Sequence, residues 1–153
     1  MYYQKIVSFG DSFCKPLTLF KKHKIKVFPY KGASASGLSN SESTLDVGTD
    51  IRTIINRYYK IYKPLCYLFI FGNVDLHINL YYKLIHSQDL NIDDYIKNLV
   101  DKYINFIIDL KIEYSDIVIT SVILPVVEEN MHKSSIIFYT GNRTNEEMKQ
   151  KID

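Results

Sequence analysis

Three short polar segments each follow an apolar run: Gly10-Asp11-Ser12-Phe13, Lys31-Gly32-Ala33-Ser34 and Gly72-Asn73-Val74-Asp75-Leu76-His77. A serine, a loop glycine and an asparagine that meet at one reacting atom are the apparatus of serine acyl transfer. Such a site also needs a base, and no pattern around the four histidines announces one. His77 is nearest the crevice in sequence, but from the Asn73 loop it would have to fold back toward Ser12, so a structural role is expected. His132 falls in a long loop that could close over the site and is the other candidate base. His23 and His86 read as surface or helix-end residues.

The elements that must position these segments follow from hydrophobic periodicity. Lys5 to Phe9 reads as a short strand closed by Gly10, and a helix is expected from Ser12, with Pro16 tolerated in its first turn. Ile25 to Tyr30 reads as a second strand, followed by the small-residue loop 31–37. Asp50 is the expected N-cap of a helix carrying Ile51, Ile54, Ile55, Tyr58, Tyr59 and Tyr62 on one stripe. Leu65 to Phe71 is apolar throughout, as a strand buried on both faces would be. Asn91 with Asp94 should cap the next helix, whose stripe is Tyr95, Ile96, Leu99, Val100, Tyr103, Ile107 and Leu110. Asp116 to Leu124 reads as a fourth strand ended by Pro125. After a long loop, Thr144-Asn145-Glu146-Glu147 is a capping box that opens a last helix.

Strands alternating with helices predict one α/β domain over 1–153 with a parallel, right-handed crossover sheet; the architecture expected for it is three-layer α/β/α, flavodoxin-like, of order 2-1-3-4. The last helix reaches Asp153 with no strand after it, so a fifth strand is expected to be missing and the domain to be C-terminally incomplete. In open sheets of this kind ligands bind beyond the carboxyl ends of the strands, where strand order reverses. With strand 1 between strands 2 and 3, the three polar segments become neighbours by topology alone.

Composition narrows the function classes. At 153 residues, with 46% hydrophobic residues, 13 Tyr and 8 Phe, the chain can bury a core without staples. A formal charge of +2, with acids and bases interspersed, gives no argument for nucleic acid or an anionic membrane as partner. The basic run Lys21-Lys22-His23-Lys24 reads as a solvated helix end. Cys14 and Cys66 form neither a metal pattern nor a disulfide framework and are expected to be buried, reduced thiols. Asp75, Asp93 and Asp94 with scattered histidines make no metal set, and no cofactor is expected. Met1 to Lys5 runs straight into a strand, and no apolar stretch approaches the roughly 20 residues of a membrane span. A soluble, cytoplasmic protein is the expectation.

Taken in order, the three segments resemble the blocks of the SGNH (GDSL-type) hydrolase family. Gly10-Asp11-Ser12 resembles the first block, Gly32 within Gly32-Ala33-Ser34-Ala35-Ser36-Gly37-Leu38 the second, and Asn73 the third. The resemblance runs from about residue 5 to 125. It implies Ser12 as nucleophile and an oxyanion hole made of the Ser12 N–H, the Gly32 N–H and the Asn73 side-chain amide. Asp11 would hold its loop by accepting backbone N–H groups, with Asp75 as a supporting acid. The family's third block usually reads Gly-x-Asn-Asp, whereas here the acid stands two residues after Asn73. Its last block, Asp-x-x-His, which supplies the base, occurs nowhere in this chain.

The substrate implied is a small-molecule or carbohydrate acyl ester. A catalytically inactive member that uses the same crevice for binding or interaction is the alternative, with a flavodoxin-like nucleotide- or phosphate-binding module as a further one. Against the last, the first loop lacks the glycine patterns that cradle phosphates, and Asp11 would oppose an anion. An unfinished sheet would leave strand 4 open to oligomerisation or to a docking partner.

Overall fold

Strand β1 (Lys5–Gly10) is flanked on both sides, by β2 (Ile25–Pro29) and by β3 (Leu65–Ile70), and the three carboxyl ends fall in register: Gly10 stands opposite Pro29 and opposite Ile70. Strand β4 (Ile117–Ile119) continues the sheet beyond β3, with Phe69 opposite Ile119. These positions come from a computed structural model that describes residues 5–20, 24–40, 43, 45–61, 65–87, 89–112 and 116–120. All pairings are parallel and the order is β2-β1-β3-β4, as the alternation of elements predicts.

Side-chain alternation sends Val7 and Phe9 of β1 and Tyr67 and Phe69 of β3 to one face. There they meet Ile51 and Ile55 of α1 (Val47–Tyr59) and Leu99, Tyr103, Phe106 and Ile107 of α3 (Ile92–Asp109) in one buried cluster. Phe9 lies at its centre, 5.5 Å from Phe69 and 5.6 Å from Phe28 between ring centroids. The opposite face carries a 3₁₀ helix, Ser12–Leu19, whose buried Cys14 sits over Gly10.

Several elements differ in detail from the periodicity reading. The first helix starts at Ser12 but is 3₁₀ throughout, with Pro16 inside it and Asp11 as its cap. Helix α1 begins at Val47, not after Asp50, because Val47 and Gly48 are already buried; the Asp50 carboxylate instead accepts the Tyr30 hydroxyl at 2.6 Å. On α3 the cap is as predicted, Asn91 accepting the N–H groups of Asp93 and Asp94, but Ile96 and Val100 are exposed and Phe106 takes their place in the core. An apolar row at Ile92, Ile96, Val100, Ile104 and Ile108 runs beside the buried stripe, and both rows satisfy helical spacing.

Between the third strand and the Asn91 cap, where periodicity names no element beyond the Asn73 loop, stand a π-helical turn (Asp75–Asn79) and α2 (Leu80–His86). Among the described residues of 116–124, β4 takes Ile117–Ile119. Tyr62, residues 21–23 with His23, residues 121–124, the long loop with His132, and the Thr144 capping box lie outside the described residues. Val118 and Ile119 on β4 are exposed. Both cysteines are free and buried, and no helix among the described residues is long and apolar enough to cross a membrane.

Gly10 is fixed by space. A Cβ there would lie 2.6 Å from the Ile70 carbonyl oxygen and 2.8 Å from Cys14 Cβ. Gly10→Ala should therefore lower stability by about 1–3 kcal/mol through overpacking, measured as a fall in urea midpoint with unchanged slope.

Candidate active site

The first polar loop leaves β1 with the Asp11 N–H bonded to the Ile70 carbonyl at 3.0 Å, and the second leaves β2 with the Tyr30 N–H bonded to the Gly10 carbonyl at 2.8 Å. Both loops are thus stitched to their neighbours at the point where the sheet ends. The third leaves β3 beside them. Ser12, Gly32 and Asn73 therefore open from adjacent strand ends at one edge.

Asp11 has no exposed surface. Its Oδ1 accepts the Phe13 N–H at 2.9 Å, capping the 3₁₀ helix, and its Oδ2 accepts the Asn73 side-chain amide at 3.1 Å. Burial raises the Asp11 carboxyl above its ordinary value of 3.8, opposed by donation from Phe13, from the Asn73 side chain, and from the backbone N–H groups of Asn73 and Val74. Asp11 thus holds loops, the role expected for it, and it orients Asn73.

Asp75 is also fully buried and ties a different pair of segments. Its Oδ2 accepts the Ala35 N–H at 2.6 Å; its Oδ1 accepts the Ser36 N–H at 3.2 Å and the Ser36 hydroxyl at 2.5 Å. The loop that begins at Gly32 is therefore clamped to the loop that carries Asn73. Tyr95 of α3 donates its hydroxyl to the Asp75 carbonyl at 3.1 Å, pinning the same turn from the helix side. Tyr95 was legible only as a stripe residue; its hydroxyl, reaching a turn 20 positions earlier, gave no signal in the sequence.

Gly32 sits at φ +76° in a turn closed by the Ala33 N–H on the Tyr30 carbonyl at 3.2 Å. Only glycine takes that conformation without strain. Ser12, half-buried, is the first residue of the 3₁₀ helix. Cys14, two residues on, is a poor competitor as nucleophile, because burial, with the Asp11 charge adding to it, pushes its thiol up to about 11.

His77 does come back toward the first loop. The π-helical turn brings its ring edge-on to Phe13, the neighbour of Ser12, with centroids 6.0 Å apart and planes at 74°. His86 is held elsewhere, its Nδ1 2.7 Å from the Tyr82 carbonyl oxygen and its ring stacked on Tyr82. Beneath the site, burial raises the Tyr103 phenol; the Phe71 N–H opposes this, and the charges of Asp11 and Asp75 add to it. No group of His, Cys, Asp and Glu among the described residues could hold a metal ion.

No family model, curated protein or solved structure matches the chain. Its chemistry has to be read from these residues.

Two predictions follow from the clamps. Asp75→Ala leaves the Ala35 and Ser36 N–H groups without their acceptor, so stability should fall by about 3 kcal/mol, with faster amide exchange at both residues. For Asp11, a raised folded-state pKa means that the folded chain holds the proton more tightly than the unfolded one. That contribution is fully present below 3.8 and is lost as pH rises through the folded value. Urea midpoints of wild type relative to Asp11→Asn should decline across that window.

Proposed function

We propose that this chain is a serine hydrolase of the SGNH type, an esterase or deacylase acting on an acyl ester or acetylated carbohydrate. The observation that carries the reading is the hydrogen bond from the Asn73 amide to Asp11 at 3.1 Å. It ties the third-loop amide to the residue that precedes Ser12, at an edge where the Gly32 turn also opens. In this reading the Ser12 hydroxyl attacks the acyl carbon and its proton passes to a histidine. The oxyanion is held by the Ser12 N–H, the Gly32 N–H and the Asn73 side-chain amide. The tetrahedral intermediate then expels the alcohol, which takes the proton back from the imidazolium. Water next attacks the acyl-Ser12 ester, with the same histidine as base, and releases the acid. A helix N-terminus beside Ser12 favours the developing negative charge.

Two histidines compete for the base. His77 is supported by its ring contact with Phe13, next to Ser12. His132, with Glu129 three residues before it in the sequence, lies outside the described residues.

Hydrolysis of p-nitrophenyl acetate by purified wild type and variants tests the reading. Ser12→Ala should reduce the rate to background, and Asn73→Ala should lower kcat by about 10²–10³. The histidine that serves as base should show the same loss on substitution by alanine, while His23→Ala stays at the wild-type rate. A rate that survives Ser12→Ala would refute the assignment.

A further inference from the structure

Beside the candidate active site, residues 34–40 with Ser43 face α2 and α3 across an open groove of about 980 Å³. That volume is at the upper end of the range of about 300–1,000 Å³ for small-molecule sites. We infer that this groove binds a neutral oligosaccharide, the carbohydrate part of an acylated substrate whose ester reaches Ser12. The clause about the ester rests on the hydrolase reading above; the binding of the sugar chain does not.

The lining argues for the ligand class. Half of the residues around the groove are serine or asparagine. Ser34, Ser36 and Asn91 are engaged in hydrogen bonds within the chain, and side chains such as Asn98 on α3 offer groups that both donate and accept, as sugar hydroxyls do. The charges cancel: Lys83 and Lys102 against Asp89 and Asp94. A site for a phosphate or a polyanion would carry an excess of positive charge. A lipid chain would need an apolar wall, yet the aliphatic lining is Leu90 and Leu99, and Leu99 is only 7% exposed.

The groove also has a platform. Tyr82 is 46% exposed on its rim, and its ring is held by stacking on His86 at 4.2 Å between centroids. A fixed aromatic face with a polar tip suits the apolar face of a sugar ring and its flanking hydroxyls. Opposite the serine loop, Asp94, Asn98 and Lys102 recur every four residues and form one row along α3.

The groove is connected to the site by shared residues. Ser36 lines it and is held by Asp75; Tyr95 lines it and holds the Asp75 carbonyl. Ser34 and Gly37 also line a smaller cavity of about 180 Å³ that begins at Gly32.

Calorimetric titration of wild type and Ser12→Ala with cellotetraose and tetra-N-acetylchitotetraose, and with tetragalacturonate as the anionic counterpart, tests the inference. At least one neutral tetraose should bind, equally to wild type and Ser12→Ala. Tyr82→Ala and Asn98→Ala, both at exposed positions, should each bind it about tenfold more weakly. The inference is overturned if neither neutral tetraose binds, if tetragalacturonate binds more tightly than both, or if the two groove variants bind as wild type does. Sugar binding without Ser12-dependent ester turnover would remove the hydrolase reading alone; turnover without sugar binding would remove only the groove assignment.

Discussion

Two carboxylates with no exposed surface, Asp11 and Asp75, hold the crevice together. Burying such a group is costly unless its oxygens are supplied with donors, and both are. The donors come from chain segments far apart in sequence, 62 residues for Asn73 on Asp11 and 40 for Ala35 on Asp75. Each carboxylate therefore acts as a tie between loops. The strands bring the loops to one edge, and the ties decide how the loops lie there. Asp11 orients the Asn73 amide and caps the helix that starts at Ser12, so Ser12 and the Asn73 amide share one anchor.

The architecture was readable because its signals are local and redundant. Continuous apolar runs at Lys5–Phe9 and Leu65–Phe71 mark central strands, the Asn91 cap marks α3, and alternation of elements marks a parallel sheet, whose expected order 2-1-3-4 is the one found. The errors arose where two patterns fit one spacing. On α3, Ile96 and Val100 belong to a second apolar row that periodicity cannot tell from the buried one, so Phe106 was overlooked. At Asp50, a good N-cap residue had a stronger partner in the Tyr30 hydroxyl, and the helix started earlier.

The site was legible as a set of residues but not as a set of bonds. Asp11 and Asp75 were named as supporting acids, yet which loop each would hold depends on contacts across the sheet that no spacing encodes. The turn 75–79 is the clearest case. A polar motif there read as loop, so His77 was expected to point away from the first loop. The π-helical geometry instead turns its ring onto Phe13. The groove along α3 was equally invisible, because its walls come from residues 34–40 with Ser43 and from α2 and α3, which meet only in the fold.

The central claim is that Ser12, Gly32 and Asn73 converge on one oxyanion. A crystal structure of the chain after reaction with a fluorophosphonate tests it most directly. The account predicts a phosphonyl group on Ser12 Oγ, with its non-bridging oxygen about 2.7–3.1 Å from Asn73 Nδ2 and from the Gly32 backbone nitrogen. An adduct on another residue, or an oxygen that points away from both donors, would contradict it.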